Sequence, residues 1–500
     1  MGQIERRCKM LSTEEIKNFL LEDSASVLKK KAAEGQRYYE GLHDILEYRM
    51  FYWNADNELV EDKTRSNVRI PHPFFTELVD QATQFILSGS EGFINSDNTA
   101  LQAELDLYFN KNKRFRVELS EVITGMQAKG FDYMYAYKGK DDRLTFESAD
   151  CLGVVEVEGR FAEDGKDQRI YKYVDRIDKD CRTQWKILVI DDENTYYYKQ
   201  TDNGEILVDD SAEMNPRPHA IYEKDGKVFA KKDYHLLPFF RLDYNKKRKS
   251  LLTAVKALID DYDIHASSLT NNLIDFDTPL HVVKGFEGDD LSKLQTNLKT
   301  KKLIGLDEDG GVEVHTVDIP YQARKEKLDL DEKNIYRFGM GLNMHSLKDT
   351  SATTNIAIKA AYSLLELRCN KIIDQLELFL QEVVEAVLAE INEREKTDYS
   401  LDIVRFEFVP EIMSNAQENA QIELTEAQRK QTEVTTLQNI ASLLDNETLM
   451  KAICEILDFD YEEIKGKLPD PDEAENAVQD AQGALDSVVV EDEPPVEEIV

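Results

Sequence analysis

Apolar residues recur every three or four positions over several stretches of the chain, and this spacing predicts amphipathic helices. The first predicted helix begins at "STEEIKNFLLED", where Ser12 is a capping residue followed by glutamates. An uninterrupted repeat from Leu251 to Leu273 predicts a helix of about 24 residues, roughly 36 Å long. A second repeat, from Leu365 to Ile391, lies in a helix predicted to have about 40 residues and a length of about 57 Å.

Short β-branched and aromatic runs dominate residues 133–230 and predict an antiparallel, β-rich region. Runs such as "YMYAY", "RIYKYV" and "TYYYK" are separated by Gly, Asp and Asn turns. After Pro279, the strand-like runs "PLHVVK" and "VEVHTV" flank a short helical pattern. Another strand-like run covers 401–410. The pattern therefore predicts a helix-rich α+β fold.

The order of these elements places a small α/β insert, residues 277–320, at the tip of a helical pair formed by 251–276 and 321–339. Two further helices are predicted at about 413–445 and 447–466. The last 32 residues contain eleven acids, no base and four prolines. Such a composition predicts a disordered tail at 469–500.

A hydroxyl-rich segment, "SLKDTSATTNIAIKA" (346–360), separates the returning helix from the longest one. Small polar side chains compete with helices for backbone hydrogen bonds, so this segment is predicted to be a polar loop. Taken by its residue types alone, such a loop is compatible with a surface hinge between helices. The candidate functional residues here are Ser346, Lys348, Asp349, Thr350, Ser351, Thr353, Thr354, Asn355 and Lys359.

Charge and composition narrow the function. The 500 residues include 62 basic and 98 acidic ones, a net charge of −36, which argues against a protein that grips nucleic acid over a broad basic face. The five cysteines are far apart and have no metal-ligand spacing. No apolar run approaches the roughly 20 residues of a membrane helix. We expect a soluble protein of a reducing compartment, with two to four subdomains.

Enzyme motifs are not found. None of the Gly-Lys pairs is followed by Ser or Thr, so the chain has no P-loop, and neither HExxH nor GxSxG occurs. The acidic run "DDYDIH" (Asp260, Asp261, Asp263 and His265) could hold a metal ion, but on a long helix it more often forms a solvated face. We therefore predict a protein that is not an enzyme, with no cofactor and no metal.

Two basic runs are open to two interpretations, a solvated linker or a patch that contacts phosphate or a partner protein. The first lies before the helix at 251, and the second lies in the α/β insert. Their members are Lys246, Lys247, Arg248 and Lys249, and Lys299, Lys301 and Lys302.

Two segments and the order of elements carry a resemblance. "NVRIPHPFFTELVDQATQFILSG" (67–89) and "TTNIAIKAAYSLLELRCNKI" (353–372) resemble segments of the portal proteins of tailed double-stranded DNA bacteriophages, particularly those of long-tailed siphophages of Gram-positive hosts. The chain departs from the family at Asn355, where glycine is usual, and at Ala360–Ala361, which replaces an aromatic-containing pair.

The resemblance implies a virion protein that forms a ring of about twelve subunits at one capsid vertex, assembled in the host cytoplasm, through which DNA is packaged and ejected. It implies as partners double-stranded DNA bound without sequence preference, the terminase packaging motor, a head-completion or connector protein, the scaffold and the major capsid protein. The implied regions are a wing (1–250 and 395–412), a stem (251–276 and 321–339), a clip (277–320), a tunnel loop (340–355), a long helix (356–394), a crown (413–468) and the tail (469–500).

The acidic composition suits a passage, because a densely basic wall would hold phosphates while an acidic wall repels them. Lys348 and Lys359, once per subunit, would then touch the DNA backbone weakly and without sequence preference. Two other classes remain open: a cytosolic helical scaffold or adaptor without DNA, and a metal-dependent nuclease that uses the acidic clusters.

Overall fold

The computed structural model describes residues 11–54, 56–63, 65–89, 92–139, 142–158, 167–176, 183–212, 214–219, 221–224, 227–230, 237–276, 280–284, 311–315, 320–343, 355–410, 416–439 and 446–457. Its fold is helix-rich α+β. The helices are α1 (Thr13–Ala25), α2 (Val27–Tyr39), α3 (Phe74–Ile86), α4 (Thr99–Leu105), α5 (Lys113–Lys129), α6 (Leu252–Phe276), α7 (Tyr321–Phe338), α8 (Asn355–Glu395), α9 (Ala416–Asn439) and α10 (Asn446–Ile456).

The strands are short and antiparallel. They are β1 (Phe51–Trp53), β2 (Leu59–Glu61), β3 (Ile94–Ser96), β4 (Phe131–Lys138), β5 (Leu144–Ala149), β6 (Val154–Val157), β7 (Gln168–Arg176), β8 (Thr183–Ile190), β9 (Asn194–Gln200), β10 (Ile206–Val208), β11 (Arg217–Pro218), β12 (Ile221–Lys224), β13 (Lys227–Ala230), β14 (Phe239–Asp243), β15 (Leu280–Lys284), β16 (Gly311–His315) and β17 (Val404–Phe406).

The β-rich region forms two main sheets. One has the order β10-β9-β8-β7-β6, with β11 paired to β9, and the other has the order β14-β4-β5. The sheets confirm the prediction of an antiparallel region, and the second sheet extends it to Asp243. β17 pairs with β3, so the strand predicted at 401–410 is present but covers only three residues.

α8 passes through the largest hydrophobic cluster of the described residues, which also includes side chains of α3, α5 and β4. The apolar repeat that predicted this helix is buried throughout, and its members are Leu365, Cys369, Ile372, Leu376, Leu380, Val383, Val387 and Ile391. Burial of one continuous face explains why so long a helix is stable in this fold.

The helical pair predicted around the insert is present as α6 and α7, and within the insert β15 pairs with β16. The remainder of the insert, including the predicted short helix, lies outside the described residues. A second compact unit of the described chain is formed at its C-terminal side, beginning after residue 413. That unit contains α9 and α10, and the predicted acidic tail lies outside the described residues.

No helix in the described ranges combines the length and the apolar character that crossing a membrane requires.

Candidate functional site

Helices α6 and α7 contact each other through apolar side chains near the start of α6 and through polar side chains farther along. Leu252, Val255 and Ile259 of α6 belong to the same buried cluster as Ile335 of α7. Farther along, the ammonium of Lys327 on α7 lies between Asp261 of α6 and Asp331 of its own helix. Near the insert, Asn272 accepts two hydrogen bonds from the Arg324 guanidinium, at 2.6 and 2.8 Å, when its amide oxygen faces α7. The two helices therefore form one supported unit.

An extended segment, residues 66–72, lies along one face of α6, and we name it the strap. Every second backbone amide of the strap donates a hydrogen bond to a side chain of α6. The donors Ser66, Val68, Ile70 and His72 pair with Asp275, Asn271, Ser267 and Asp263, at 3.1, 2.7, 3.1 and 2.9 Å. Two residues of extended chain rise about 6.6 Å and four residues of helix about 6.0 Å, so the two repeats match closely. The chain thereby satisfies strap amides that have no strand partner.

Asp263 is the most enclosed member of this face, with no solvent exposure. Its two carboxylate oxygens contact the Nδ1 atoms of His43 and His72, at 2.7 and 2.8 Å. Nε2 of His43 is buried without a partner in the described residues. A proton on Nδ1 of His43 fits this position, because it is donated to the Asp263 carboxylate.

The other residues of "DDYDIH" serve separate elements. Asp260 accepts from the hydroxyl of Tyr38, and Lys256 lies 2.7 Å from Asp260 and 2.6 Å from Asp44. His265 lies 3.4 Å from Asp261, which also contacts α7. The prediction of a solvated face is wrong for Asp263, because this carboxylate replaces water with two histidines and a strap amide. Each carboxylate of the run has its own partners, and the run does not converge on one ion.

The junction after α7 leads into the hydroxyl-rich segment, and α3 fixes its position. The Gln81 side chain accepts from the Leu342 amide at 3.0 Å and donates to the Leu342 carbonyl at 2.9 Å. A Cβ atom at Gly341 would lie only 2.2 Å from the end of the Leu78 side chain, so a larger residue here would displace this buried leucine. Asn343 then donates to Glu332 at 3.0 Å.

Arg368 on α8 is buried and joins the junction to α3. Its guanidinium donates to the carbonyl of Gly339 at 2.7 Å and to that of Leu78. Burial lowers the pKa of Arg368 below its usual value. A guanidinium stays protonated nonetheless, so this buried cation holds two backbone carbonyls. The end of α7, α3 and α8 are thus locked to one another on the side from which the hydroxyl-rich segment departs.

The tunnel-loop prediction falls mostly outside the part of the chain that the structure describes. Ser346, Lys348, Asp349, Thr350, Ser351, Thr353 and Thr354 lie outside the described residues, as do Lys299, Lys301 and Lys302. Asn355 and Lys359 lie in the first turns of α8. The described chain therefore fixes both flanks of the hydroxyl-rich segment, Asn343 and α8, and the assignment of a tunnel loop stays a prediction.

The basic run at 246–249 forms a tight turn. The Asn245 side chain accepts from the amides of Lys247 and Lys249, both at 3.1 Å. Arg248 packs over Phe131 at 5.2 Å from the ring centre and lies 3.5 Å from Glu156. The lysines at 246, 247 and 249 are exposed. Within this turn Arg248 has a structural role, and the three lysines remain exposed to solvent.

Asp132, Asp150 and Cys151 bring potential metal ligands within 4.8 Å of one another. The Lys129 ammonium lies among them, 2.8 Å from each of the two aspartates. Burial opposes the charge on Lys129, but the two aspartates raise its pKa above the ordinary value. Burial raises the pKa of the Cys151 thiol, which disfavours the thiolate form that binds metals. The Lys129 ammonium thus balances the negative charge of the two aspartates in the position that a metal ion would take.

Comparison with known proteins decides the family. The family model for SPP1 Gp6-like phage portal proteins matches residues 21–465. The chain belongs to this portal family. The portal protein of Bacillus phage SPP1 is 27% identical over 346 residues, which cover 67% of this chain and 65% of that protein. The portal protein of Clostridium phage phiCD119 is 28% identical over 194 residues, 38% of this chain and 42% of that protein. The matched parts thus span less than two thirds of either relative.

The family match confirms the resemblance seen in the sequence, and the portal family is one of structural proteins. The two segments that carried the resemblance meet in the fold of this portal-family chain. Arg368 in the second segment donates to Leu78 in the first, and Tyr362 lies 5.9 Å from Phe85 between ring centres. Sequence reasoning missed Arg368 and Gln81. A charged residue on the apolar face of a helix is the signal that could have identified Arg368.

Proposed function

We propose that this chain is the subunit of a closed ring at one vertex of a phage capsid, through which double-stranded DNA is packaged and later ejected. The match of the portal family over residues 21–465 carries this proposal. The net charge of −36 per subunit supports it, because acidic walls repel phosphates and let DNA slide. The assembled ring is a virion component that forms in the host cytoplasm.

Within this ring, α6 and α7 are assigned to the stem and the insert at 277–320 to the clip. The β-rich region with α1–α5 and β17 is assigned to the wing, and residues 413–468 to the crown. The support for the stem is the pairing of α6 and α7, two braced helices that directly precede and follow the insert in the sequence. The scaffold, the major capsid protein and a head-completion or connector protein are the expected partners.

The ring itself is the first test. Negative-stain images and mass measurement of the purified full-length chain should show rings with a central hole and about twelve subunits, or a neighbouring number. A protein that remains a stable monomer at high concentration and moderate salt would contradict the proposal and favour a cytosolic adaptor. An activity on DNA that is lost on chelation would favour a nuclease instead.

The hydroxyl-rich segment is assigned to the channel, where Lys348 and Lys359 would contact passing DNA weakly. This assignment is supported by the residues just before the segment, which Gln81 and Arg368 hold in place by hydrogen bonds. Lys348→Ala and Thr353→Pro should leave rings intact but reduce the length of DNA packaged or its retention, with Lys333→Ala on α7 as an exposed-lysine control. Variants that package and hold full-length genomes would make the segment a hinge.

The clip is assigned as the surface that meets the terminase motor. Charge reversal at Lys299, Lys301 and Lys302 should weaken motor binding and packaging while rings still form. The same reversal at Lys246, Lys247 and Lys249 changes the charge equally at the other candidate basic run, so comparing the two variants shows which run the motor contacts. Normal packaging by the clip variant would remove these lysines from the motor interface.

A further inference from the structure

A hairpin formed by β1 and β2, residues 51–61, exposes large apolar side chains on both of its faces; we name it the aromatic hairpin. Phe51, Tyr52 and Trp53 are consecutive and are 54%, 48% and 65% exposed, and Leu59 opposite Trp53 is 56% exposed. Neighbouring strand residues point to opposite faces. Three exposed aromatic residues in a row therefore mean that the described residues of the subunit cover neither face completely.

Such a hairpin needs a partner surface. Its sheet has only two strands, and an isolated two-stranded hairpin is marginally stable in water. The aromatic side chains of the hairpin are already about half covered in the subunit, so burying each one removes roughly half of the 150–250 Å² that a fully buried aromatic residue withdraws from water. A patch of this kind marks an interaction site rather than a solvated loop.

The strap fixes the hairpin near one end of the helical pair. Ser66, five residues after β2 ends at Glu61, donates to Asp275 in the last turn of α6, and Asn67 donates to the carbonyl of Tyr48, three residues before β1 begins. At this same end of the pair, a second apolar surface is exposed, which we name the pair-end patch. Its members Leu273, Ile274 and Tyr321 are 49%, 52% and 54% exposed.

Side chains of both signs border the two surfaces, among them the exposed Arg65 after the hairpin and Glu326 beside Lys325, and one opposite-charge pairing between the surfaces is available. Asp56 and Glu58 are exposed at the turn of the aromatic hairpin, and Lys325 is exposed one turn after Tyr321. Opposite charges around an apolar contact fix its register and disfavour wrong partners. The hairpin and the pair-end patch thus each offer apolar surface, and the carboxylates at the hairpin turn can pair with Lys325.

We propose that the aromatic hairpin of one copy covers the pair-end patch of the next copy, with Asp56 and Glu58 facing Lys325. This inference rests on the proposed ring. A ring needs a head-to-tail contact between two different surfaces of the same chain. Rotation about the ring axis keeps each residue at its height, so contacting surfaces must lie at one level. Both surfaces lie at the same end of the stem helices, which satisfies this condition and makes a second copy the occupant.

The test uses the full-length chain. Trp53→Ser should raise the concentration at which rings dissociate by at least tenfold, while circular dichroism and the melting temperature of the subunit stay unchanged. Val117→Ser is the matched control, because Val117 on α5 is also 59% exposed but lies in neither surface. Glu58→Lys should weaken rings, and adding Lys325→Glu to the same chain should restore them.

A crosslink gives a second measurement that does not depend on how well the serine variant folds. Rings that carry both Trp53→Cys and Leu273→Cys should give a ladder of disulfide-linked oligomers on oxidation, and chains with either change alone should not. Rings as stable as the parent in Trp53→Ser, or oxidised double-cysteine rings without a ladder, overturn this interface and leave the portal proposal intact. A parent chain that never associates overturns both.

Discussion

At the scale of single residues, buried polar groups in this chain organise neighbouring elements. Asp263 holds two histidines and a strap amide, and Arg368 holds two carbonyls. Loss of a buried charge that is fully hydrogen-bonded leaves its partners unpaired in a medium of low polarity. Changes at these residues are therefore expected to act on folding and on the placement of the stem, before any effect on DNA.

Asp44 gives a pH-dependent test at this scale. Burial opposes its ionisation, but Lys256 and Arg37 lower its pKa from 3.8 to about 2. A lowered pKa stabilises the fold above the unfolded value near 4, and this stabilisation is lost as pH falls through about 2. The shift alone corresponds to about 2.5 kcal/mol, and exposure of the side chain to solvent reduces this to about 1 kcal/mol or less.

Asp44→Asn should therefore lower the free energy of unfolding by up to about 1 kcal/mol at pH 6–7. The difference from the parent should narrow between pH 4 and pH 2, as measured by urea unfolding at each pH. Asp97→Asn is the control, because Asp97 pairs with Arg405 on the surface and is 87% exposed. A constant difference across this pH range would contradict the role of the Lys256 and Arg37 partners.

At the scale of elements, the strap and α6 depend on each other. Asn271 both accepts from the Val68 amide and donates to the Val68 carbonyl, at 2.7 and 3.2 Å. Asn271→Ala should remove both bonds and increase hydrogen exchange of peptides covering 66–72 about tenfold or more, since each lost bond is worth about 1 kcal/mol. Asn271→Asp, which keeps only the acceptor, should give an intermediate effect.

Thr270→Ala is the control for this measurement, because its hydroxyl bonds to the Ala266 carbonyl within α6 and does not face the strap. Unchanged exchange of the strap in Asn271→Ala, measured by mass spectrometry, would show that packing rather than the side-chain bonds holds the segment.

The long helices of this fold are predictable from the sequence, but the face of α6 that contacts the strap is not. The repeat from Leu365 to Ile391 is entirely buried, so periodicity was sufficient for α8. In the second half of α6, the apolar repeat ends in an exposed Leu273, while Ser267 and Asn271 are buried. A segment about 200 residues earlier supplies the amides that these side chains satisfy, and helical periodicity does not report such a distant partner.

At the scale of the whole molecule, the negative net charge of the subunits opposes their assembly into a ring. Each subunit carries a net charge of −36, and like charges in a ring repel. The Debye length falls from about 30 Å at 0.01 M salt to about 10 Å at 0.1 M. Raising the salt concentration should therefore increase the fraction of rings, because it screens the repulsion between subunits and leaves the apolar contact intact, and weakens only the few ion pairs of the interface.

Sedimentation at about 0.02 M and about 0.5 M NaCl measures this fraction, with the ionic strengths chosen to change screening strongly. Addition of sucrose at equal osmolality is the control for effects other than screening. Rings that dissociate as salt rises would show that ion pairs between subunits outweigh the repulsion of the net charge.

The match between the strap and α6 also limits how this part of the gene can change in length. A deletion of one residue within 66–72 would turn the remaining amides away from α6, and a deletion of one residue in α6 would rotate Asp263, Ser267 and Asn271 off the shared face by about 100°. The spacings of about 6.6 and 6.0 Å also drift apart by about 0.6 Å per rung, so the pairing cannot be extended indefinitely. Among portal relatives that keep this pairing, insertions and deletions should therefore be absent from the strap and should occur in the neighbouring turns.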